Sequence, residues 1–547
     1  MKAKGLITFL FLFYFTIALF GQIINNELLL IEESGLVMTT QQIEPLSFYD
    51  NRSSVTRYQE VSLPIELTTP SEIVVGDRLV LNLFNEINYP AVIDHLELNR
   101  LGTFTVRARI EDCQMGYIII STTEDRSLAI IYIPERNEYF TIISDPVTLS
   151  HYLLEINLAE ADELVTAPPV TPPPLQESSR HEQERIRRSL EEVILTDPAT
   201  IDVMVVYTPA AANWANTSGG GIYNVINGAM QNGQISLDNS NTLMSVDLVY
   251  AAEVDYQESG SASIDLIRLA ASPDFNPWGD YVNGYYIPGY LDEVHIWRDI
   301  YGADLVALFA LVDDVGGVGF LLQDRWGYPE IGFSLTRVQQ ASWTYTHVHE
   351  MGHNMGLHHH AEQNFQPGPT EWFNWSENTW SAGWRWTGNN NQRYCSVMTY
   401  TSGSYFPDGL DHARVAHFSN PLINYEGVPT GHATLGDNAR TLRELRHIIA
   451  AYRPSMMIEI DTPIVSVEII DGYIHLNWEA VSGSNSYKIY ATDNPYQEDW
   501  GNEIAIVGSP GYVEIISEER KFYRVIASTE EAPVFDLIPD NTLSGDR

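Results

Sequence analysis

The chain has 547 residues, which is enough for three or four domains. Its 72 acidic and 30 basic residues give a formal net charge of −42 at pH 7. This charge argues against nucleic acid as a partner and fits a soluble secreted protein. It would also suit bound calcium, but the sequence shows no loop of the D-x-D-x-D-G type.

Residues 1–21 have the pattern of a secretory signal peptide. Lys2 and Lys4 precede an apolar run from Leu6 to Phe20, and Gly21 stands near the expected cleavage site. The alternative is a membrane anchor, but the run is shorter than the ~20 apolar residues that span a bilayer. No later stretch of the sequence is long and apolar enough to cross a membrane, so we expect a secreted, extracellular protein.

Residues 22 to about 165 form short runs that alternate apolar and polar side chains and are separated by turn residues. Tyr117–Ile120 and Leu128–Ile133 are examples, and the pattern predicts a β-rich segment without visible catalytic groups. Residues 166–190 are proline-rich and then highly charged, which predicts an exposed linker. Arg187-Arg188 offers a processing site there, and an uncleaved interdomain linker is the alternative.

Residues 198–454 predict an α/β domain with a mixed sheet. Residues 273–297 are rich in aromatic residues, proline and glycine, and predict an irregular insertion. The expected strands are Ile201–Tyr207, Met244–Val249, Ala303–Leu311 and Ile331–Val338, and the expected helices are Ile222–Leu237, Ser261–Ala271 and one that Asp437 caps and that runs to Tyr452.

The most informative stretch is residues 346–360, which contains the spacing H-E-x-x-H-x-x-G-x-x-H. His349 and His353 are four residues apart, so a helix places both imidazoles on one face, where they can bind one ion. Gly356 tolerates the positive φ of a turn that brings His359 round as a third ligand. Three neutral imidazoles leave the charge of Zn²⁺ uncompensated, and such an ion lowers the pKa of the water it binds to about 7. Glu350 is placed to act on that water as a general base rather than to bind the metal.

A methionine follows in Cys395-Ser-Val-Met-Thr-Tyr400. The long histidine motif with a later Met-turn resembles the metzincin zinc proteases. The resemblance implies that Met398 lies beneath the metal site. It also implies that the Tyr400 hydroxyl reaches the metal or the developing oxyanion, whereas a tyrosine that merely packs is the alternative. Gly316–Phe320 matches the edge strand with which metzincins pair their substrates.

Further motifs resemble the secreted, reprolysin-like branch and its peptidyl-Asp metalloendopeptidase group. They are Ile201–Ala211, Arg298–Val306, Phe418–Pro421 and Gly436–Leu442. The resemblance implies cleavage before Asp and therefore a cation in the pocket beyond the scissile bond, for which Arg393 is our candidate; a surface arginine is the alternative. One departure is His360, because such proteins usually have Asp directly after the third histidine.

Residues 22–190 lie between the signal peptide and the protease-like part, and this position predicts a propeptide. The sequence has two cysteines, Cys113 and Cys395, and leaves three alternatives. The two are free thiols, they form one disulfide, or Cys113 is a thiolate that occupies the open coordination position of the metal.

Residues 461–529 contain short alternating strands that resemble a fibronectin type III-like sandwich with Trp478 in its core, and residues 530–547 predict an acidic disordered tail.

The sequence therefore predicts a secreted zinc metalloendopeptidase that acts on proteins or peptides. Its oligomeric state and natural substrate stay open. The alternatives are an adhesion protein with a structural zinc site and a zinc hydrolase of non-peptide substrates.

Overall fold

A computed structural model gives the structure of the chain. It describes residues 28–39, 46–71, 73–84, 87–190, 193, 196–369, 379–454, 463, 465–470, 473–478, 486–492, 503–507, 510–515 and 521–528. The predicted signal peptide and acidic tail lie outside these residues. The chain divides into two compact units, Met1–Ser455 and Met456–Arg547. Within the described residues, helices that combine the length and the apolar character needed to traverse a bilayer are absent.

The first unit begins with an eleven-stranded sheet. Its order is β1-β5-β6-β7-β8-β9-β10-β11-β4-β2, and β3 pairs with β4. The pairs are antiparallel except for β1 and β5. The strands are β1 Leu28–Leu29, β2 Glu33–Ser34, β3 Met38–Thr39, β4 Val55–Ser62, β5 Arg78–Leu83, β6 Ile87–Leu98, β7 Thr103–Ile110, β8 Tyr117–Thr123, β9 Arg126–Ile133, β10 Glu138–Ser144 and β11 His151–Ile156.

A five-stranded sheet follows in the order β13-β12-β16-β18-β17. Its first four strands are parallel, and β17 is an antiparallel edge strand. The mixed sheet expected from the sequence is therefore present. The strands of this part are β12 Ala199–Tyr207, β13 Met244–Glu253, β14 Tyr281–Val282, β15 Tyr285–Tyr286, β16 Leu305–Ala310, β17 Gly317–Gly319 and β18 Phe333–Arg337.

Eight α-helices are described in the first unit. They are α1 Glu177–Ser189, α2 Pro209–Ser218, α3 Ile222–Asn239, α4 Ala262–Ala270, α5 Asp292–Ile300, α6 Val338–Ala341, α7 Thr346–Asn354 and α8 Asn438–Ile449. Short 3-10 helices lie at Arg52–Ser54, Ile65–Leu67, Pro134–Arg136, Leu158–Glu160, Pro329–Ile331 and Gly403–Tyr405. The remaining strands are β19 Arg385–Thr387, β20 Arg393–Cys395, β21 Ala413–Arg414, β22 Asn424–Tyr425 and β23 Val428–Pro429.

Two expectations about irregular segments are wrong. The end of the insertion at 273–297 is helical, because it contributes to α5, where Val294 and Arg298 are buried. The segment 166–190 is not an exposed linker throughout, because it contains α1, in which Ser179 and Ile186 are buried. Both helices are mostly polar, so the sequence pattern did not reveal that each buries an apolar side chain, Val294 in α5 and Ile186 in α1. Arg187 and Arg188 lie in α1, and Arg188 is exposed.

The N-terminal sheet packs on the five-stranded part through α3. Alternate residues of β8 divide between two cores: Ile118 and Ile120 pack among the N-terminal strands, whereas Ile119 belongs to the core that holds the five-stranded sheet. The contact is also polar, because Asn227 on α3 donates to Thr105 Oγ1 at 2.9 Å and to Ser121 Oγ at 2.6 Å. The N-terminal sheet is therefore part of the first unit rather than a separate lobe.

The second unit contains two three-stranded sheets, in the orders β24-β25-β28 and β27-β26-β29. Trp478 and Tyr487 are buried in its core with their ring centroids 5.3 Å apart. Trp478 thus lies where the sequence placed it, and the fibronectin-like assignment stays a prediction. The strands are β24 Ser466–Ile470, β25 Tyr473–Asn477, β26 Ser486–Thr492, β27 Ala505–Val507, β28 Tyr512–Ile515 and β29 Phe522–Ser528.

Candidate metal centre

Three imidazoles converge at the end of α7. His349 and His353 lie four residues apart on the helix, and His359 returns to them through a turn in which Gly356 has a φ of 82°. The Nε2 atom of His359 is 2.9 Å from that of His349 and 3.2 Å from that of His353. Two nitrogens bound to one tetrahedral zinc ion lie roughly 3.3 Å apart, so the spacing suits that ion.

The Nδ1 atom of each ring faces a backbone carbonyl. His349 Nδ1 is 2.9 Å from Val397 O, His353 Nδ1 is 2.8 Å from Leu357 O, and His359 Nδ1 is 3.2 Å from Gln366 O. A carbonyl only accepts, so each Nδ1 carries the proton and each Nε2 presents a lone pair. Three lone pairs at this distance repel one another unless a cation lies between them.

Burial keeps these imidazoles neutral. It lowers the pKa of His353 to about 4, and it lowers those of His349 and His359 well below the usual histidine value, with the neighbouring histidines adding to the shift. Neutral imidazole is the form that binds metals. Among the described residues, these three histidines have ligand atoms close enough together to hold one metal ion.

Glu350 lies beside the three rings in a buried position. Neither of its carboxylate oxygens hydrogen-bonds to a residue that the structure describes. Burial raises the pKa of Glu350 well above its usual range, and the guanidinium of Arg414 opposes that shift. The side chain therefore stands free for a small polar molecule or a metal.

Strand β17 passes close to α7 because two of its three residues are glycines. A Cβ atom on Gly317 would lie 2.8 Å from Glu350 Cγ, and one on Gly319 would lie 2.7 Å from Glu350 O. Glycine at both positions lets the edge strand run directly over the acid.

Met398 and Tyr400 lie near α7 and His359, and their implied roles stay predictions. Met398 is fully buried, and its Sδ atom would be 2.7 Å from a Cβ on Gly352 of α7, so it packs directly against the helix. The Tyr400 ring centroid is 4.9 Å from that of His359. Burial raises the pKa of the Tyr400 hydroxyl, which therefore stays protonated and can donate.

His358 and His360 do not join the cluster. His358 pairs with Ala382 in an isolated β-bridge, and the His360 ring stacks on Trp384 with centroids 5.4 Å apart. His360 Nδ1 accepts the Glu362 backbone N–H at 3.0 Å, so this ring ties down the loop after the third ligand. His360 thus makes a local contact at the position where Asp was expected.

A segment from Leu164 to Val170 lies along β17. Ala167 N donates to Gly317 O at 2.7 Å, Val170 N donates to Gly319 O at 2.8 Å, and Leu321 N donates to Val170 O at 3.0 Å. The pairing of Val170 with Phe320 is parallel. The edge of the five-stranded sheet is therefore covered by the chain's own N-terminal part.

Thr166 brings this segment to the histidines. Its Oγ1 is 3.4 Å from His349 Nε2 and 3.2 Å from the Tyr400 hydroxyl, which donates to Thr166 O at 2.8 Å. Sequence reasoning missed Thr166, because nothing in a proline-rich stretch marks one threonine as a contact of a distant histidine.

The cysteine alternatives resolve in favour of free thiols. Cys113 and Cys395 are both free, so the disulfide is excluded. Cys113 packs against the core of the N-terminal sheet, and burial raises its pKa, which disfavours a thiolate. Cys113 also lies outside the three-histidine group, so the structure does not place it as a thiolate on the metal. Among the described N-terminal residues, Thr166 contacts His349 instead.

Comparison with known proteins agrees with this geometry. Residues 238–360 match the family model described as "Metallo-peptidase family M12B Reprolysin-like". This part of the chain is similar to the reprolysin-like metallopeptidases. With that match, the three-histidine cluster is a zinc site of the kind typical of M12 peptidases.

Two similar proteins bear the name Peptidyl-Asp metalloendopeptidase. One, from Stenotrophomonas maltophilia (strain K279a), is 27% identical over 256 residues, which cover 47% of this chain and 53% of that protein. The other, from Xanthomonas campestris pv. campestris, is 28% identical over 257 residues, covering 47% and 52%. The chain thus spans about half the length of these curated relatives. Among solved structures, metalloproteinase-II from Bacteroides fragilis aligns over 53% of this chain and 84% of its own, with 13% identity and a TM-score of 0.32.

Proposed function

We propose that the chain is a secreted zinc metalloendopeptidase. The observation that carries this proposal is the convergence of three imidazole Nε2 atoms next to the carboxylate of Glu350, which has no hydrogen-bond partner among the described residues. Bound zinc would supply a Lewis acid that activates water and polarises a peptide carbonyl. A purely structural zinc site is usually closed by a fourth protein ligand and does not need a free acid beside it.

Glu350 is the general base in this proposal. It accepts a proton from the water that attacks the scissile carbonyl and passes that proton to the leaving amine. Tyr400, protonated and beside His359, donates to the carbonyl oxygen as negative charge develops there. His349, His353 and His359 would hold the metal through Nε2, and their Nδ1 hydrogen bonds fix the rings.

The substrate is a protein or peptide in an extended conformation. Strand β17 offers backbone groups directly above Glu350, and the Leu164–Val170 segment already pairs with them as an added strand would. The names of the relatives support a preference for bonds before Asp.

Residues 22–190 are the propeptide in this proposal. The Leu164–Val170 segment covers the edge strand, and Thr166 fills the space between His349 and Tyr400. A substrate cannot reach the site until this segment leaves, so the uncleaved chain is latent.

The test is hydrolysis of denatured casein by the purified chain, before and after removal of its N-terminal part. We expect the processed chain to cut casein and the uncleaved chain to be inactive. A zinc chelator and Glu350→Ala should each abolish cutting, and sequencing of the product ends gives the preference. A processed chain that bound zinc and cut no peptide bond would overturn the proposal and favour an adhesion protein or a non-peptide hydrolase.

A further inference from the structure

An ion pair joins Glu163, the residue before the Leu164–Val170 segment, to Arg414 beside the candidate site. Arg414 Nη1 lies 3.2 Å from Glu163 Oε1, and Glu163 comes just before the Leu164–Val170 segment. The Arg414 side chain is 11% exposed and that of Glu163 is 33% exposed. The pair therefore lies partly inside the molecule, at the point where the segment enters the site.

Arg414 is held in place by groups next to the metal site. Its Nε and Nη2 atoms donate to Thr399 O at 3.3 and 3.2 Å, and Thr399 lies between Met398 and Tyr400. Pairing of β21 with β20 sets Arg414 opposite Cys395. In the uncleaved chain the carbonyl of Arg414 also accepts the Tyr132 hydroxyl of β9 at 3.0 Å. Two of the three guanidinium nitrogens thus serve to orient the group, and Nη1 remains for a carboxylate.

The other arginines of this region have different partners. Arg385 pairs with Asp408 and its guanidinium lies over the Phe406 ring, 3.7 Å from the centroid. Arg393, the candidate from the sequence, is exposed and donates to Asp411 O at 2.8 Å. Neither shares the Thr399 contact through which Arg414 adjoins the metal site.

We propose that Arg414 selects an acidic side chain of the substrate, and that Glu163 fills the position of that side chain in the uncleaved chain. This inference rests on the proposed function. Once the segment has left, Arg414 keeps its two hydrogen bonds to Thr399 O, and its third nitrogen lacks the carboxylate that Glu163 supplied. A carboxylate of the substrate restores the charge-assisted hydrogen bond, whereas an amide of the same shape does not restore the charge.

The first test compares two short peptides that differ only by Asp or Asn at the residue after the scissile bond. We expect the processed wild type to favour the Asp peptide in kcat/KM by at least about 30-fold. Arg414→Gln should bring the two peptides to within about threefold, and Arg414→Lys should recover part of the ratio. Arg393→Gln is the matched control and should keep the wild-type ratio.

The second test measures the pairing itself. A synthetic peptide spanning residues 160–172 is added as an inhibitor of the processed chain, with either Glu163 or Gln at that position. We expect the Glu163→Gln change in the peptide to weaken inhibition of the wild type by at least about fivefold. The same change should leave inhibition of the Arg414→Gln variant unaltered. A peptide with Glu160→Gln, which changes an exposed side chain, should inhibit like the parent.

The outcomes separate this inference from the proposed function. A wild type that cuts both peptides equally, or an Arg414→Gln variant that keeps the Asp preference, would overturn the inference and leave the peptidase intact. An inhibitor whose strength is unchanged by Glu163→Gln would also overturn it. A wild type that cuts neither these peptides nor casein would overturn both.

Discussion

Two buried charged residues of the first unit, Arg298 and Glu350, differ in what surrounds them. Arg298 donates to Ala303 O at 3.0 Å, to Pro329 O at 2.8 Å and to Asp304 O, so all three of its nitrogens have acceptors. Burial lowers its pKa to about 9. Glu350 is equally buried, and neither of its oxygens has a hydrogen-bond partner among the described residues.

The difference distinguishes a charged residue that stabilises the fold from one that takes part in ligand binding or a reaction. A buried charged group with all its partners holds chain segments together, as Arg298 holds the loop after α5 to the turn before β18. A buried charged group without partners destabilises the fold and persists where a ligand or a reaction needs it. The two residues should therefore respond to substitution in opposite ways.

Replacing Glu350 should have the largest effect on activity. Glu350→Gln removes the proton acceptor, and we expect kcat/KM of the processed chain to fall by about 10³-fold or more. Zinc content should stay at the wild-type level, because the amide leaves the three imidazoles untouched. Thermal unfolding should not occur at a lower temperature, since a neutral amide replaces an unpartnered buried acid. The measurement is peptide hydrolysis beside zinc analysis and a melting curve.

Glu362→Gln is the control for that prediction. Glu362 is exposed in the loop after His359, so its substitution should leave kcat/KM within about twofold. A Glu350→Gln variant that lost its zinc or unfolded early would contradict the contrast with Arg298.

Replacing Arg298 should have the largest effect on stability. Arg298→Met keeps the length of the side chain but leaves three carbonyls without donors, so we expect the free energy of unfolding to fall by about 3 kcal/mol or more. Chemical denaturation measures this loss. Arg188→Met changes an exposed arginine and should cost no more than about 0.5 kcal/mol. A folded Arg298→Met sample with greatly reduced kcat/KM would assign Arg298 a role in the reaction.

The sequence predicted the metal site better than its surroundings for a physical reason. His349, His353 and His359 are near one another in the chain, so helical periodicity and one glycine turn suffice to bring their rings together. Thr166 is 183 residues from His349, and Glu163 is 251 residues from Arg414. Contacts at such separations depend on how two sheets pack, which periodicity does not encode.

The same reason explains why the sequence led to Arg393 and did not bring Arg414 to notice. Both arginines follow the third histidine in the chain, and a single sequence offers no basis for ranking them. The parallel pairing of β20 with β21 turns Arg414 toward the Met-turn, while Arg393 extends to Asp411 O. The place of Arg414, four residues before the Phe418–Pro421 motif, was the one available signal.

Tyr400 should show an intermediate effect. When the N-terminal segment leaves, its hydroxyl loses the short hydrogen bond to Thr166 O at 2.8 Å and keeps only the longer one to Gln366 Oε1 at 3.4 Å. Tyr400→Phe should lower kcat of the processed chain by about 100-fold, with KM within about threefold, since the donated hydrogen bond strengthens as charge develops on the carbonyl oxygen. Steady-state kinetics on one peptide measures both values. An unchanged kcat would show that Tyr400 only packs beside the histidines and does not contribute its hydroxyl to the reaction.

The three imidazole ligands are tested most directly by X-ray absorption at the zinc edge of the processed chain. We predict three imidazole nitrogens at about 2.0–2.1 Å, one further oxygen or nitrogen, and no sulfur near 2.3 Å. His359→Ala should remove one imidazole, whereas His358→Ala and His360→Ala should leave the count at three. A sulfur neighbour, or a spectrum that His359→Ala leaves unchanged, would contradict the account.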